Sequence, residues 1–140
     1  MAKHLGIDYG LKRTGIAISD SLGMIAAPMK TVPTEAALDE IEKIILKEKI
    51  KTVVVGEARY SDGSESEITV IQEKFCKRLQ NKIPAIQIVR EDERYSSQIA
   101  FESLIEGGFK KKERRKKENT DLVAAAIILQ RYLDKLSSVQ

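Results

Sequence analysis

Four acidic positions stand where packing alone would not ask for a carboxylate. Asp8 interrupts the apolar run HLGIDY, and Glu91 to Glu93, within EDER, end a run that contains Ile86 and Val89. Asp121 precedes LVAAAIIL, which is almost wholly apolar, and Glu57 directly follows TVVVG. A lone buried carboxylate costs several kcal/mol unless it is paired, hydrogen-bonded or bound to a metal. Each position also has a plain structural reading. Asp121 can favour a helix N-terminus, worth about 0.3–1 kcal/mol; Glu91 to Glu93 can form a polar strand end, and Glu57 can be a loop residue. Asp8 is the hardest to explain in that way. Taken jointly, the acids suggest more. Strand ends at the carboxyl edge of a parallel sheet lie together, and a helix N-terminus can point to the same place. Carboxylates gathered there would repel and raise one another's pKa. A divalent cation removes that conflict, and oxygen ligands suit Mg²⁺ or Mn²⁺ rather than zinc. Two such ions about 3.5–4 Å apart can stabilise the attacking and leaving oxygens of a phosphodiester displacement.

Candidate phosphate-handling groups accompany the acids. Gly6 and Gly10 flank Asp8 without a Cβ, so a phosphate chain could come close, and Gly10 could take φ > 0 in a turn. Lys12 and Arg13 follow at once and could hold flanking phosphates, the arginine in bidentate fashion. An ordinary hairpin turn accounts for the same four residues. In KKKERRKK, residues 110 to 117, seven of eight side chains are basic: Lys110, Lys111, Lys112, Arg114, Arg115, Lys116 and Lys117. Such a run is either a solvated loop or an electrostatic footprint for phosphates. The formal charge of +3 says little by itself.

The remaining composition narrows the class. A chain of 140 residues fits one domain with a real core, and 42% apolar with 32% charged residues is ordinary for a soluble protein. No apolar run approaches the ~18 residues that span a bilayer, and the start of the sequence lacks a signal-peptide pattern. One cysteine, Cys76, excludes an internal disulfide and fits a reducing cytoplasm. Its place in a helical pattern suits packing rather than catalysis. His4, without a second histidine, argues against zinc.

These groups need elements to carry them. Residues 3 to 9 and 14 to 20 predict two strands joined at Gly10 to Arg13 as an antiparallel hairpin. MIAAPMKTV predicts a third strand, with Pro28 pushing it to a sheet edge or a bulge. Thr34 offers an N-cap to a helix marked by Leu38, Ile41, Ile44, Ile45 and Glu48. KTVVVG, 51 to 56, predicts a buried parallel strand. Ser64 and Glu67 have capping-box spacing before a helix striped by Ile68, Ile71, Phe75 and Leu79. Pro84 precedes a strand in AIQIV. Helical spacing returns at Ile99, Leu104 and Ile105 and stops at Gly107 and Gly108. A long final helix follows, capped by Asn119 or Thr120. The order implies an α/β fold: a mixed sheet with an antiparallel hairpin portion, parallel strands, and helices on both faces.

GIDYGLKRTGIAISD, DGSESE, DERYSS and TDLVAAAIILQRYL occur in the order and spacing of the YqgF/RuvX family, which this chain resembles from about residue 4 to 134. The resemblance implies an RNase H-like fold and a bacterial cytoplasmic nuclease. Its implied role is processing of the 5′ end of precursor 16S ribosomal RNA; an older suggestion is Holliday-junction resolution. By position, Asp8 matches the first-strand acid, Glu93 the acid of the D-E-R block, Asp121 the acid opening the last helix, and Arg13 the arginine after the first glycine turn. Many relatives carry leucine-proline where GEARY places Glu57, which could share or replace the role of Glu93. Ser96 and Ser97 stand where threonines are common and keep the hydroxyls.

The resulting expectation is a metal-dependent phosphodiesterase acting on structured RNA. Asp8, Glu93 and Asp121 would hold Mg²⁺ or Mn²⁺, with Glu57 as a possible addition. Lys12, Arg13, Arg94 and the basic run would position the backbone, with shape read more than base identity. A monomer or weak dimer is expected. Three rivals stand beside it. A four-way-junction resolvase would need a symmetric dimer. An ATP-binding fold of the actin and sugar-kinase type shares D-x-G but needs two such domains. The third is a catalytically silent RNA-binding assembly factor.

Overall fold

The structure, a computed structural model, describes residues 3–93 and 117–138, without the side chains of 117–121 and 138. Five strands form one sheet in the order β3-β2-β1-β4-β5. β1 (His4–Tyr9) and β2 (Arg13–Ser19) make the expected antiparallel hairpin, closed by Gly10 N–H donating to the Arg13 carbonyl at 3.1 Å. β3 (Ala26–Pro33) pairs antiparallel with β2 at the sheet edge. Its register slips where Ile16 faces Lys30 and Ala17 faces Pro28, leaving Met29 as the extra residue. Pro28 therefore sits on an edge strand and beside a bulge, the two settings that tolerate its missing N–H. β4 (Thr52–Glu57) lies parallel between β1 and β5 (Gln87–Asp92). Val53, Val54 and Val55 are all fully buried, because both faces of β4 are covered.

Strand alternation divides the core in two. Leu5, Ile7, Val53 and Val55 face α1 (Thr34–Glu48) and α2 (Glu67–Lys82), meeting Ile41, Ile45, Phe75 and Leu79. Tyr9 stacks on Phe75, ring centroids 4.3 Å apart. On the other face Ala17 and Val54 meet Ala125, Ile128, Leu129 and Leu133 of α3 (Lys117–Ser138). Helices thus cover both faces of the sheet, as the element order implies.

Several local expectations are corrected. Thr34 is not the N-cap of α1, which is Pro33 with no side-chain cap. Thr34 instead donates from Oγ1 to the Gly10 carbonyl at 2.7 Å, and its N–H donates to Lys12, so it clasps the β1–β2 turn. The capping box of α2 is Ser66 with Thr69, not Ser64 with Glu67. Ser64 is engaged by Asp62, which accepts from its N–H and hydroxyl within the preceding turn. α3 already begins at Lys117, so Asn119 and Thr120 lie inside it and Lys117 is helical rather than part of a loop. β5 starts later than AIQIV and runs on through Arg90, Glu91 and Asp92, polar residues that its neighbours satisfy. The expected helix near Ile99 to Ile105, with its stop at Gly107 and Gly108, lies outside the described residues. Among the described residues no helix is long and apolar enough to cross a membrane.

Candidate active site

The three parallel strands end side by side, with β4 in the middle. Asp8 is the penultimate residue of β1, and Glu93 follows the end of β5, its N–H donating to the Glu57 carbonyl at 3.3 Å. The side chains of Asp8 and Glu93 meet in a hydrogen bond across the end of β4. Burial pushes the Glu93 carboxyl above its ordinary value and the charge of Asp92 adds to this; bonds from Asp8 and Gln72 and the Arg90 guanidinium pull it down. The crossing is possible because residue 56 is glycine. A Cβ there would overlap Glu93 Oε2 and come within 2.8 Å of Ile128 Cδ1.

Asp121 is placed through its helix. Tyr132 packs near His4, with ring centroids 6.0 Å apart, and Leu129 and Ala125 cover Gly6, so α3 runs antiparallel to β1. One further turn toward the N-terminus of α3 brings the backbone at Asp121 to the Asp8 end of the strand. The side chain of Asp121 is outside the described residues, and so are Arg94 and Lys110, Lys111, Lys112, Arg114, Arg115 and Lys116. Lys117 is described only as backbone.

Glu57 belongs elsewhere. It shares the α2 side of β4 with Val55, and Arg59 Nε binds its Oε1 at 2.8 Å, with Arg90 at 3.9 Å. Glu91 is also diverted: buried on the α3 side, it accepts from Lys135 Nζ at 2.6 Å. Lys12 and Arg13 lie in the turn that ends β1, on the same edge as Asp8, Lys12 exposed and Arg13 half-buried.

The glycine expectations need correction. Gly6 faces α3, and a Cβ would stand 2.6 Å from Leu129 Cβ and 2.9 Å from the Ala125 carbonyl. It admits a helix, not a phosphate chain. Gly10 does not have a positive φ; a Cβ there would meet the Arg13 carbonyl at 2.6 Å, so tight closure of the turn requires it. Sequence reasoning missed Gly56 and Gln72. The signal for Gln72 was present: it stands on the apolar stripe between Ile68 and Phe75, a polar residue where packing wants a hydrocarbon.

Among the described residues no group of three His, Cys, Asp or Glu side chains is arranged to hold a metal. The Asp8–Glu93 pair is the acid constellation the structure does bring together. Its two carboxyl groups supply the oxygen donors that a hard divalent cation takes.

The sequence model of the RuvX family, described as Holliday junction resolvase, matches residues 2–135. This chain belongs to the RuvX family. A relative from Flavobacterium psychrophilum, named "Putative pre-16S rRNA nuclease", is 41% identical over 135 residues, covering 96% of this chain and 98% of the relative. One of the same name from Amoebophilus asiaticus is 43% identical over 133 residues, covering 95% and 94%. Solved structures place the RuvX chain in the RNase H-like fold of the junction resolvases. Thermus thermophilus RuvC, in complex with a Holliday junction substrate, superposes with a TM-score of 0.62 at 14% identity, covering 99% of this chain and 97% of that one. The yeast mitochondrial resolvase Ydc2 gives 0.57 at 13% identity, covering 98% and 81%.

Proposed function

We propose that this chain is a divalent-metal-dependent nuclease that hydrolyses phosphodiester bonds in structured RNA, with precursor 16S rRNA as its substrate. The observation that carries the reading is the Asp8–Glu93 pair, two acids 85 residues apart in sequence held in one hydrogen bond. An acid pair at a strand edge is a ready cation site, with Asp121 at the adjoining helix end as its third member. Bound Mg²⁺ or Mn²⁺ would supply Lewis-acid stabilisation of the attacking and leaving oxygens. The chain's own residues do the rest. Asp8 and Glu93 would present oxygen donors from the ends of β1 and β5, two strands that cannot drift apart, since β4 is paired to both. Lys12 and Arg13 offer charge to phosphates flanking the scissile bond, and Arg94 with Lys110, Lys111, Lys112, Arg114, Arg115, Lys116 and Lys117 extends that grip. The names carried by the curated relatives favour ribosomal RNA over DNA. We take the protein to act in the cytoplasm as a monomer or weak dimer.

The test is incubation of purified protein with labelled precursor 16S RNA and, separately, with four-way DNA junctions, in Mg²⁺, Mn²⁺ or EDTA. Metal-dependent cuts near the mature 5′ end, absent in EDTA, are expected. Paired symmetric cuts in the junction, with the RNA intact, would replace the RNA substrate with DNA. Cleavage that persists in EDTA would remove the metal from the reading.

A further inference from the structure

Gln72 is fully buried in the core-facing stripe of α2. A primary amide is costly there unless its donors and acceptor are met. All are met, by groups at the ends of three strands. Its Oε1 accepts from the Ala58 N–H at 2.8 Å, just past β4, and from Arg90 Nη2 at 3.4 Å. Its Nε2 donates to the Tyr9 carbonyl at 3.1 Å, at the end of β1, and to Glu93 Oε1 at 2.6 Å, beyond β5. The shortest of the four bonds goes to the acid. Thr69, one turn earlier, donates its hydroxyl to the Ala58 carbonyl, so the anchorage of this segment does not depend on Gln72 alone. The two Glu93 oxygens are thereby distinguished: Oε1 is held by Gln72, and Oε2 lies over the space left open by Gly56.

We propose that Gln72 is a positioning residue, whose amide donates to Glu93 and holds that carboxyl against Asp8 in the pose that receives the cation. The inference rests on the metal-dependent reading above. A mere fold clamp would act through the Ala58 N–H instead, and two variants separate these roles. Gln72→Met removes every bond of the amide at similar length. Gln72→Glu keeps an acceptor for Ala58 but, when ionised, gives no donor to Glu93.

Crystal structures of both variants without metal, Mn²⁺ titration by calorimetry and single-turnover cleavage of precursor RNA form the test. Glu93 should swing off Asp8 in both variants. The Mn²⁺ dissociation constant should rise about 10–100-fold, the usual range when a partner of a metal ligand is removed. Half-saturation by RNA should stay put, and excess Mn²⁺ should restore the cleavage rate. Wild-type Mn²⁺ affinity with Glu93 still against Asp8 would overturn the proposal. So would a defect confined to Gln72→Met, accompanied by a lower Tm and not relieved by Mn²⁺. If the unmutated protein takes up no Mn²⁺, the metal reading fails, and the position of Glu93 in the variant crystals still decides the role of Gln72.

Discussion

Asp8 and Glu93 share one hydrogen bond, and burial holds the Glu93 carboxyl above its ordinary pKa. Replacing Asp8 with Asn keeps a hydrogen-bonding group of nearly the same shape and removes one negative charge from the cluster. Cleavage by Asp8→Asn should fall to background, while its Tm in EDTA should lie at or up to about 3 °C above wild type, as a gain below about 1 kcal/mol would give. Scanning calorimetry beside a cleavage assay checks both, and a clearly lower Tm would show that the amide does not replace the carboxyl in its bond to Glu93. His4 behaves differently. Its Nδ1 is buried with no hydrogen-bond partner among the described residues, and burial lowers its pKa below the ordinary 6.5. The folded protein then binds fewer protons than the unfolded chain between the two values. The contribution is complete above about pH 6.5 and is lost as pH falls through that window. Glu93 has the opposite sign, its raised pKa favouring the folded protein at low pH and losing that effect as pH rises. Comparing wild type with His4→Phe isolates the histidine. Between about pH 7.5 and about pH 5.5 the urea midpoint should fall further in wild type than in the variant; parallel behaviour would refute it. Cys76 needs no such test for reactivity, since burial pushes its thiol up to about 11.

At the scale of elements, two glycines beneath α3 should respond in opposite ways. At Gly6 a methyl group meets Leu129 Cβ and the Ala125 carbonyl, both close to the helix backbone and unable to yield. Gly6→Ala should therefore lose about 1–3 kcal/mol in denaturant titration, with activity per folded molecule largely kept. At Gly56 the obstacles are the carboxyl tip of Glu93 and the end of Ile128, which can rotate. Gly56→Ala should cost under about 1 kcal/mol, yet cut cleavage by at least about tenfold, because the acid moves. Similar losses of stability in both would contradict this account. The same elements show what is readable in advance. The hairpin, the edge position of Pro28 and the buried β4 follow from glycine spacing, proline chemistry and a β-branched run, all local signals. The polar end of β5 is not readable, because Arg90 is met by Glu73 and the carbonyls of Val55 and Gly56, and Glu91 by Lys135. Those partners come from other parts of the chain. Asp8 stands out because it breaks an apolar strand. Gln72 breaks an apolar stripe in the same way yet passes as an ordinary helical polar residue. Gly6 misleads because its neighbour is a helix 119 residues away at Ala125.

Over the whole molecule, the basic run at residues 110 to 117 lies apart in sequence from Asp8 and Glu93, so affinity and chemistry should separate. Changing Lys110, Lys111, Lys112, Arg114, Arg115, Lys116 and Lys117 to Gln should weaken RNA binding and flatten its salt dependence. Each phosphate that is no longer neutralised should lower the slope of log K against log salt by roughly 0.7–0.9. Binding titrations across several salt concentrations, with single-turnover cleavage at saturating RNA, would separate the effects; an unchanged slope would make the run a solvated loop. The placement of α3 also has a consequence in time. It is the last of the described elements to leave the ribosome, yet among them it alone covers Ala17 and Val54 and brings Asp121 to the sheet edge. Among the described residues, a growing chain that has already paired all five strands has nothing else to lay on that apolar face, and it lacks the third acid of the proposed site. Folding is thereby ordered by emergence: the helix that shields the stickiest described surface is the one that carries the third acid of the proposed site.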